Sequence, residues 1–193
     1  MITTIVLTGG PCAGKTSVLK ALRNHLGREA IFVEEAATSI FKKHPLPTDD
    51  WTDGQWFELQ QKIAIHQISC EARASWKAQR IGCRLRICDR GLFDGCAYPM
   101  GQQAVREQVG THTTRFGHSR YHLVIHLESQ AIAFPERFSR AGNRLRYEKL
   151  EQAQRLDHQT RLAWEGHPNW KFLPGTLSIS ELVHETLALI RTL

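Results

Sequence analysis

MITTIVLTGGPCAGKTSVLK, residues 1–20, passes from an apolar run into glycines and then into a lysine and a threonine. The apolar run from Ile2 to Leu7 is too short for a helix and is stopped by glycine, which is the pattern of a strand buried on both faces inside a parallel sheet. Gly9-Gly10-Pro11-Cys12-Ala13-Gly14-Lys15-Thr16 fits G-x-x-x-x-G-K-[ST], and from Ser17 to Leu26 the residues Val18, Leu19 and Leu22 share one face of a helix. Glycines let the backbone turn tightly and aim several N–H groups at one anion, while the helix N-terminus adds a partial positive charge and the lysine a full one. The expected anion is the β- and γ-phosphates of a nucleotide, cradled by Gly9, Gly10, Pro11, Cys12, Ala13, Gly14, Lys15, Thr16 and Ser17. The Thr16 hydroxyl is placed to ligate a bridging Mg²⁺.

Outward from this stretch, strand and helix patterns alternate. Ala30 to Glu34 (AIFVE) reads as a second strand, Glu35 to Lys43 as a short helix stopped by Pro45 and Pro47, and Thr52-Asp53-Gly54-Gln55 as a capping box opening a long helix to about Gln79. Trp56, Leu59, Ile63 and Cys70 keep one face of that helix apolar. Further strands are expected at Arg84–Cys88, Tyr121–Leu127 and Trp170–Leu173, and a helix at Glu148–Trp164. Ser178-Ile179-Ser180-Glu181 caps a last helix with Ile179, Leu182, Val183 and Ile190 inward. The alternation predicts an α/β fold of three layers, a five-stranded parallel sheet with helices on both faces.

With 193 residues, 41% of them hydrophobic, and no low-complexity stretch, the chain suits one domain over residues 1–193. The N-terminal run lacks the basic start and cleavage site of a leader, and no segment approaches the roughly 18 apolar residues of a membrane span, so a cytoplasmic protein with no membrane partner is expected. Five cysteines without a C-x-x-C pair predict reduced, mostly buried thiols, and ten histidines without metal spacing predict packed ones, among them His122 and His126 in YHLVIHLE. The net charge of +6 comes from residues 80–146, which carry eleven Lys/Arg against five Asp/Glu. Such an excess fits a nucleic-acid surface or a pocket crowded with phosphates.

Ligands of open α/β sheets bind beyond the carboxyl ends of the strands, so polar strand ends are candidate site residues. The third strand runs into Asp89-Arg90-Gly91. An acid there, following a phosphate loop, is the expected second metal-organising carboxylate, so Thr16 and Asp89 form the candidate metal pair. Motor ATPases continue with a water-activating glutamate; here Arg90 follows, a group suited to gripping substrate. Glu34 and Glu35 lie at the strand-to-helix turn, where a carboxylate can orient or deprotonate an attacking hydroxyl, and Glu35 is the favoured one. Arg137, Arg140, Arg144 and Arg146 form a basic cluster in PERFSRAGNRLRYEKL, read as a lid over residues 135–147 that closes on the triphosphate.

The stretches TGGPCAGKT, EEAATSIF, CDRGLFDGCAY, YHLVIHLE and HPNW resemble the AAA-labelled P-loop ATP-binding family related to the nicotinamide riboside kinase domain of the bifunctional NAD-regulator protein. The wider resemblance is to nucleoside and nucleoside-monophosphate kinases. It implies that Lys15, Thr16 and Arg146 meet ATP-Mg, that Glu35 or Asp89 serves the acceptor hydroxyl, that Arg90 grips substrate, and that Arg137, Arg140 and Arg144 belong to the lid. A kinase acting on a small, nucleoside-like acceptor is therefore the leading expectation. A polynucleotide kinase is supported only by the basic charge, because the chain shows neither a lysine stripe nor a base-stacking motif. A guanine-nucleotide switch would need N-K-x-D, which is missing, and a motor ATPase is disfavoured by Asp89-Arg90.

Overall fold

The computed structural model describes residues 2–44, 46–48, 50–110, 119–138 and 149–193, the side chain of Arg137 excepted. Five strands, β1 (Thr3–Thr8), β2 (Ala30–Val33), β3 (Leu85–Asp89), β4 (Leu123–Leu127) and β5 (Trp170–Leu173), form one parallel sheet in the order β2-β3-β1-β4-β5. The α/β fold expected from the sequence is the one observed, the five-stranded P-loop NTPase fold.

Alternation along each strand divides the core in two. Ile5 and Leu7 of β1 and Leu123, Ile125 and Leu127 of β4 face one way and meet Val18, Leu19 and Leu22 of α1 (Lys15–Leu26) and Leu182, Val183 and Ile190 of α7 (Ile179–Ile190). Val6 and Val124 face the other way, with Cys88 of β3, against Ala64 and Ala74 of α3 (Asp53–Ile81), Val105 of α4 (Gly101–Val109) and the buried Trp164 beyond α6 (Leu150–Ala163). The sheet is thus covered on both faces.

The capping boxes at Thr52 and Ser178 are present. Helix α3 outruns its expected end and stops at Gly82, whose φ of 69° suits a residue without Cβ. Three expectations need correction. Asp89 is the last residue of β3 rather than the one after it, because Leu7 of β1 pairs with it in register. Ile179 is partly exposed instead of inward. Only Cys83 and Cys88 are buried, while Cys12, Cys70 and Cys96 are half-buried. The 3₁₀ segment Leu92–Ala97, α4 and the single-turn α5 (Gln130–Ala133) lie in the connections between strands. Among the described residues no helix is long and apolar enough to cross a membrane.

Candidate active site

Beyond the carboxyl ends of β1 and β3 opens a cleft of about 690 Å³. Its lining includes Pro11 to Ser17, the apolar side chains of Trp56, Leu59 and Ile63 from α3, and Glu35, Asp89, Arg90 and Asp94.

The loop after β1 wraps tightly because only glycines fit its close approaches. A Cβ on Gly9 would lie 2.0 Å from the Leu127 carbonyl oxygen, and one on Gly10 would lie 2.7 Å from the Asp157 Cβ. Asp157, on α6, accepts the Gly10 N–H at 2.7 Å and the Ser129 N–H at 3.0 Å, and His126 Nε2 lies 3.2 Å from its other oxygen. Ser129 in turn donates its hydroxyl to the Pro11 carbonyl, and the Gln130 N–H reaches the Cys12 carbonyl at 3.3 Å. Burial works against the charge of Asp157, but the His126 contact and these two N–H groups outweigh it and hold the carboxyl below its usual range. Lys15 is buried, with its ammonium donating to the Gly9 and Gly10 carbonyls at 2.8 Å each. Burial first and Arg90 second push its pKa down to about 8.

At the end of β3, Arg90 takes a left-handed backbone (φ 68°), rare for a residue with a side chain. Its Nε donates to Glu35 at 2.6 Å and its Nη1 to Asp94 and to the Gly9 carbonyl at 3.1 Å each. Burial opposes the Arg90 charge, yet Tyr98, Glu35 and Asp94 raise its pKa well above the ordinary value. For Glu35, burial is likewise outweighed by Arg90 and by the Thr38 hydroxyl, which donates to it at 2.5 Å, so the carboxyl is held low. Asp89 goes the other way, pushed up to about 6 by burial and then by the charge of Glu35. Its Oδ1 is buried and has no hydrogen-bond partner among the described residues.

That unpaired oxygen, with the Thr16 hydroxyl lining the same cleft, fits Mg²⁺, a hard cation that takes one or two protein oxygens and completes its shell with phosphate and water. No cluster of three or more His, Cys, Asp or Glu side chains is disposed around a metal among the described residues. The cleft thus collects Pro11 to Ser17, Glu35, Asp89 and Arg90. Glu34 does not join them; it is 75% exposed and paired with Arg23. Arg140, Arg144 and Arg146 lie outside the described residues, as does the Arg137 side chain, while Phe138 lines the cleft.

Four site residues were not singled out by the sequence reading. Asp94 accepts from the Thr8 hydroxyl at 2.5 Å, the Gly91 N–H at 2.8 Å and the Trp164 indole at 3.2 Å as well as from Arg90, and only the D-R-G-x-x-D spacing hints at it. Asp157 carries no local signal. Gln60 and Gln67 follow the helical period of α3 but are polar, so an apolar count passes over them; both are buried and line the cleft.

The family described as an AAA domain matches residues 4–173, and the chain belongs to it. No curated protein matches the chain. Fold, loop and family together define a P-loop nucleotide-binding domain.

Proposed function

We propose that the protein transfers the γ-phosphoryl group of ATP-Mg to a hydroxyl of a small, nucleoside-like acceptor. The observation that carries this reading is the Glu35–Arg90–Asp94 cluster in a cleft that the phosphate loop and the apolar side chains of Trp56, Leu59 and Ile63 also line. The cleft, at about 690 Å³, is lined by apolar side chains as well as by the loop, which favours an acceptor molecule beside the nucleotide. The resemblance to nicotinamide riboside kinases supports the same reaction type, and an ATP requirement fits a cytoplasmic enzyme acting as one domain.

In this mechanism Lys15 leaves its loop carbonyls for the β- and γ-phosphate oxygens, and Gly9 to Ser17 supply the cradle. Asp89 and Thr16 hold Mg²⁺, which when bound neutralises phosphate charge. Glu35 accepts the proton of the acceptor hydroxyl as its oxygen bonds to the γ-phosphorus and the bond to the β-phosphate oxygen breaks, with ADP leaving. Arg90 holds Glu35 in place and meets the acceptor, and Arg137, Arg140, Arg144 and Arg146 serve as the lid. Gln60, a buried amide that lines the cleft, supplies polar recognition of the acceptor.

The test is ATP consumption with and without a panel of nucleosides, sugars and short oligonucleotides. A sharp rise with one small acceptor is expected, because acceptor binding completes the site. Rapid consumption that no acceptor alters would make the protein an ATPase, and a rise with oligonucleotides alone would make it a polynucleotide kinase.

A further inference from the structure

Behind the cleft, on the α3–α6 side of the sheet, lies a second polar cluster that the proposed mechanism does not use. Glu71 of α3 is 1% exposed, yet it carries a carboxylate. Its Oε1 accepts from the Tyr121 hydroxyl at 2.8 Å and from Gln67 Nε2 at 2.9 Å; its Oε2 accepts from Arg120 Nη2 at 3.1 Å, with Arg86 Nη2 at 3.8 Å. Arg86 is anchored a second time through Nη1 on the Glu71 carbonyl at 2.7 Å. Burying a carboxylate costs several kcal/mol unless partners surround it, and here two guanidiniums, an amide and a phenol do so.

What this cluster holds is the turn after β3. Gln67 Nε2 also reaches the Arg90 carbonyl at 3.2 Å, and the Tyr121 hydroxyl, while donating to Glu71, accepts the Leu92 N–H at 2.9 Å. With the Arg90 N–H on the Leu7 carbonyl at 3.0 Å and the Gly91 N–H on Asp94, every residue from Arg90 to Leu92 is tied. Gly91 packs so closely that a Cβ there would lie 2.7 Å from Trp164 and 2.9 Å from Val6. A left-handed arginine costs about 1–2 kcal/mol and persists only where its surroundings over-determine it. Two of those ties run through Glu71.

We infer that Glu71 is a positioning residue for Arg90, acting through Gln67 and Tyr121 to keep the turn left-handed and the guanidinium aimed at Glu35 and Asp94. Its bearing on catalysis rests on the reading that Arg90 meets the acceptor; the positioning itself does not. Glu71 is not among the residues that line the cleft. Its two oxygens accept from Gln67, Tyr121 and Arg120 at once and so fix which way the amide and the phenol point.

The test is the Arg90 Nε–H signal in proton–nitrogen NMR of the full chain, assigned by its loss in Arg90→Lys and recorded without added ligand. In the unmodified protein the 2.6 Å bond to Glu35 predicts a downfield, slowly exchanging signal. Tyr121→Phe, which keeps the ring and removes the hydroxyl, should speed its exchange about tenfold, and Glu71→Gln by more. Ile190→Ala, which weakens the opposite face of the core, should leave the signal unchanged at a matched loss of thermal stability. An unchanged signal in folded Tyr121→Phe would overturn the inference, as would an equal disturbance in Ile190→Ala; if Glu71→Gln does not fold, Tyr121→Phe carries the test. A disturbed signal in a protein that proves to have no phosphotransferase activity would leave the positioning intact and sink the kinase reading alone.

Discussion

The phosphate loop and the Arg90 turn leave neighbouring strands at the same height, with Leu7 opposite Asp89, yet they are built in opposite ways. The loop is a contiguous run whose working groups are backbone N–H groups and one lysine, braced from beneath by Asp157 and Ser129. The turn works through side chains drawn from five places: Glu35 before α2 (Ala36–Phe41), Gln67 on α3, Asp94 in the 3₁₀ segment, Tyr121 before β4 and Trp164 after α6. An anion cradle made of backbone demands glycines at fixed spacing, and a site made of side chains demands only that distant residues meet. The first half should therefore govern nucleotide binding and the second half transfer.

The most damaging change on the nucleotide side is Lys15→Ala. It should lower turnover by about 10²-fold or more and weaken ATP binding while the protein stays folded, since the ammonium meets only loop carbonyls and no core side chain. Calorimetry showing full ATP affinity in folded Lys15→Ala would break the division at its base.

Asp89 stands on the border of the two halves, and its replacement should act oppositely on catalysis and on stability. Asp89→Asn should cut turnover by about 10²-fold with little change in nucleotide affinity. Its folded pKa of about 6 lies above the ordinary 3.8, so the protonated group favours folding fully below about pH 4, and that contribution is lost as pH rises through 6. Metal-free Asp89→Asn should accordingly melt higher than the unmodified protein at about pH 8, the gap closing on acidification. A lower melting point at that pH would mean Asp89 is paired rather than stranded.

A smaller effect is expected from the brace beneath the loop. Asp157→Asn should cost about 1–3 kcal/mol of stability and roughly tenfold in nucleotide affinity, because the Gly10 and Ser129 N–H groups lose a charged acceptor. The carboxyl is held low in the folded protein, so its contribution is present above about pH 4 and fades as pH falls through the folded value; the variant should show a flatter acid-denaturation profile. An unchanged profile would remove Asp157 from the support of the loop.

The same contrast explains what could be read from the residues in order. Gly9 to Ser17, the parallel sheet and the strand-end pair Asp89-Arg90 are signalled by local spacing and periodicity, and the parallel sheet is the one observed. Asp157 and Glu71 are not signalled, because each acts on partners tens of residues away and sits in an ordinary amphipathic helix. The buried stripe of α3 contains Gln60, Gln67 and Glu71 beside Leu59 and Ala64, so counting apolar residues finds the helix and misses its polar work. Glu34 and Glu35 are neighbours of the same type, and only the turn into α2 decides that one faces solvent and the other Arg90.

The division of labour is tested most directly by Glu35→Gln, with ATP-Mg affinity read by calorimetry and the fate of the γ-phosphoryl group read by mass spectrometry on the same preparation, in the presence of the acceptor that stimulates the unmodified protein. The expected result is affinity within about threefold of the unmodified protein and phosphorylated acceptor reduced by about 10²-fold or more, since in the proposed mechanism Glu35 takes the hydroxyl proton while its hydrogen bonds go to Arg90 and Thr38 rather than to the loop. Transfer at the unmodified rate, or a loss of ATP affinity matching the loss of transfer, would contradict it.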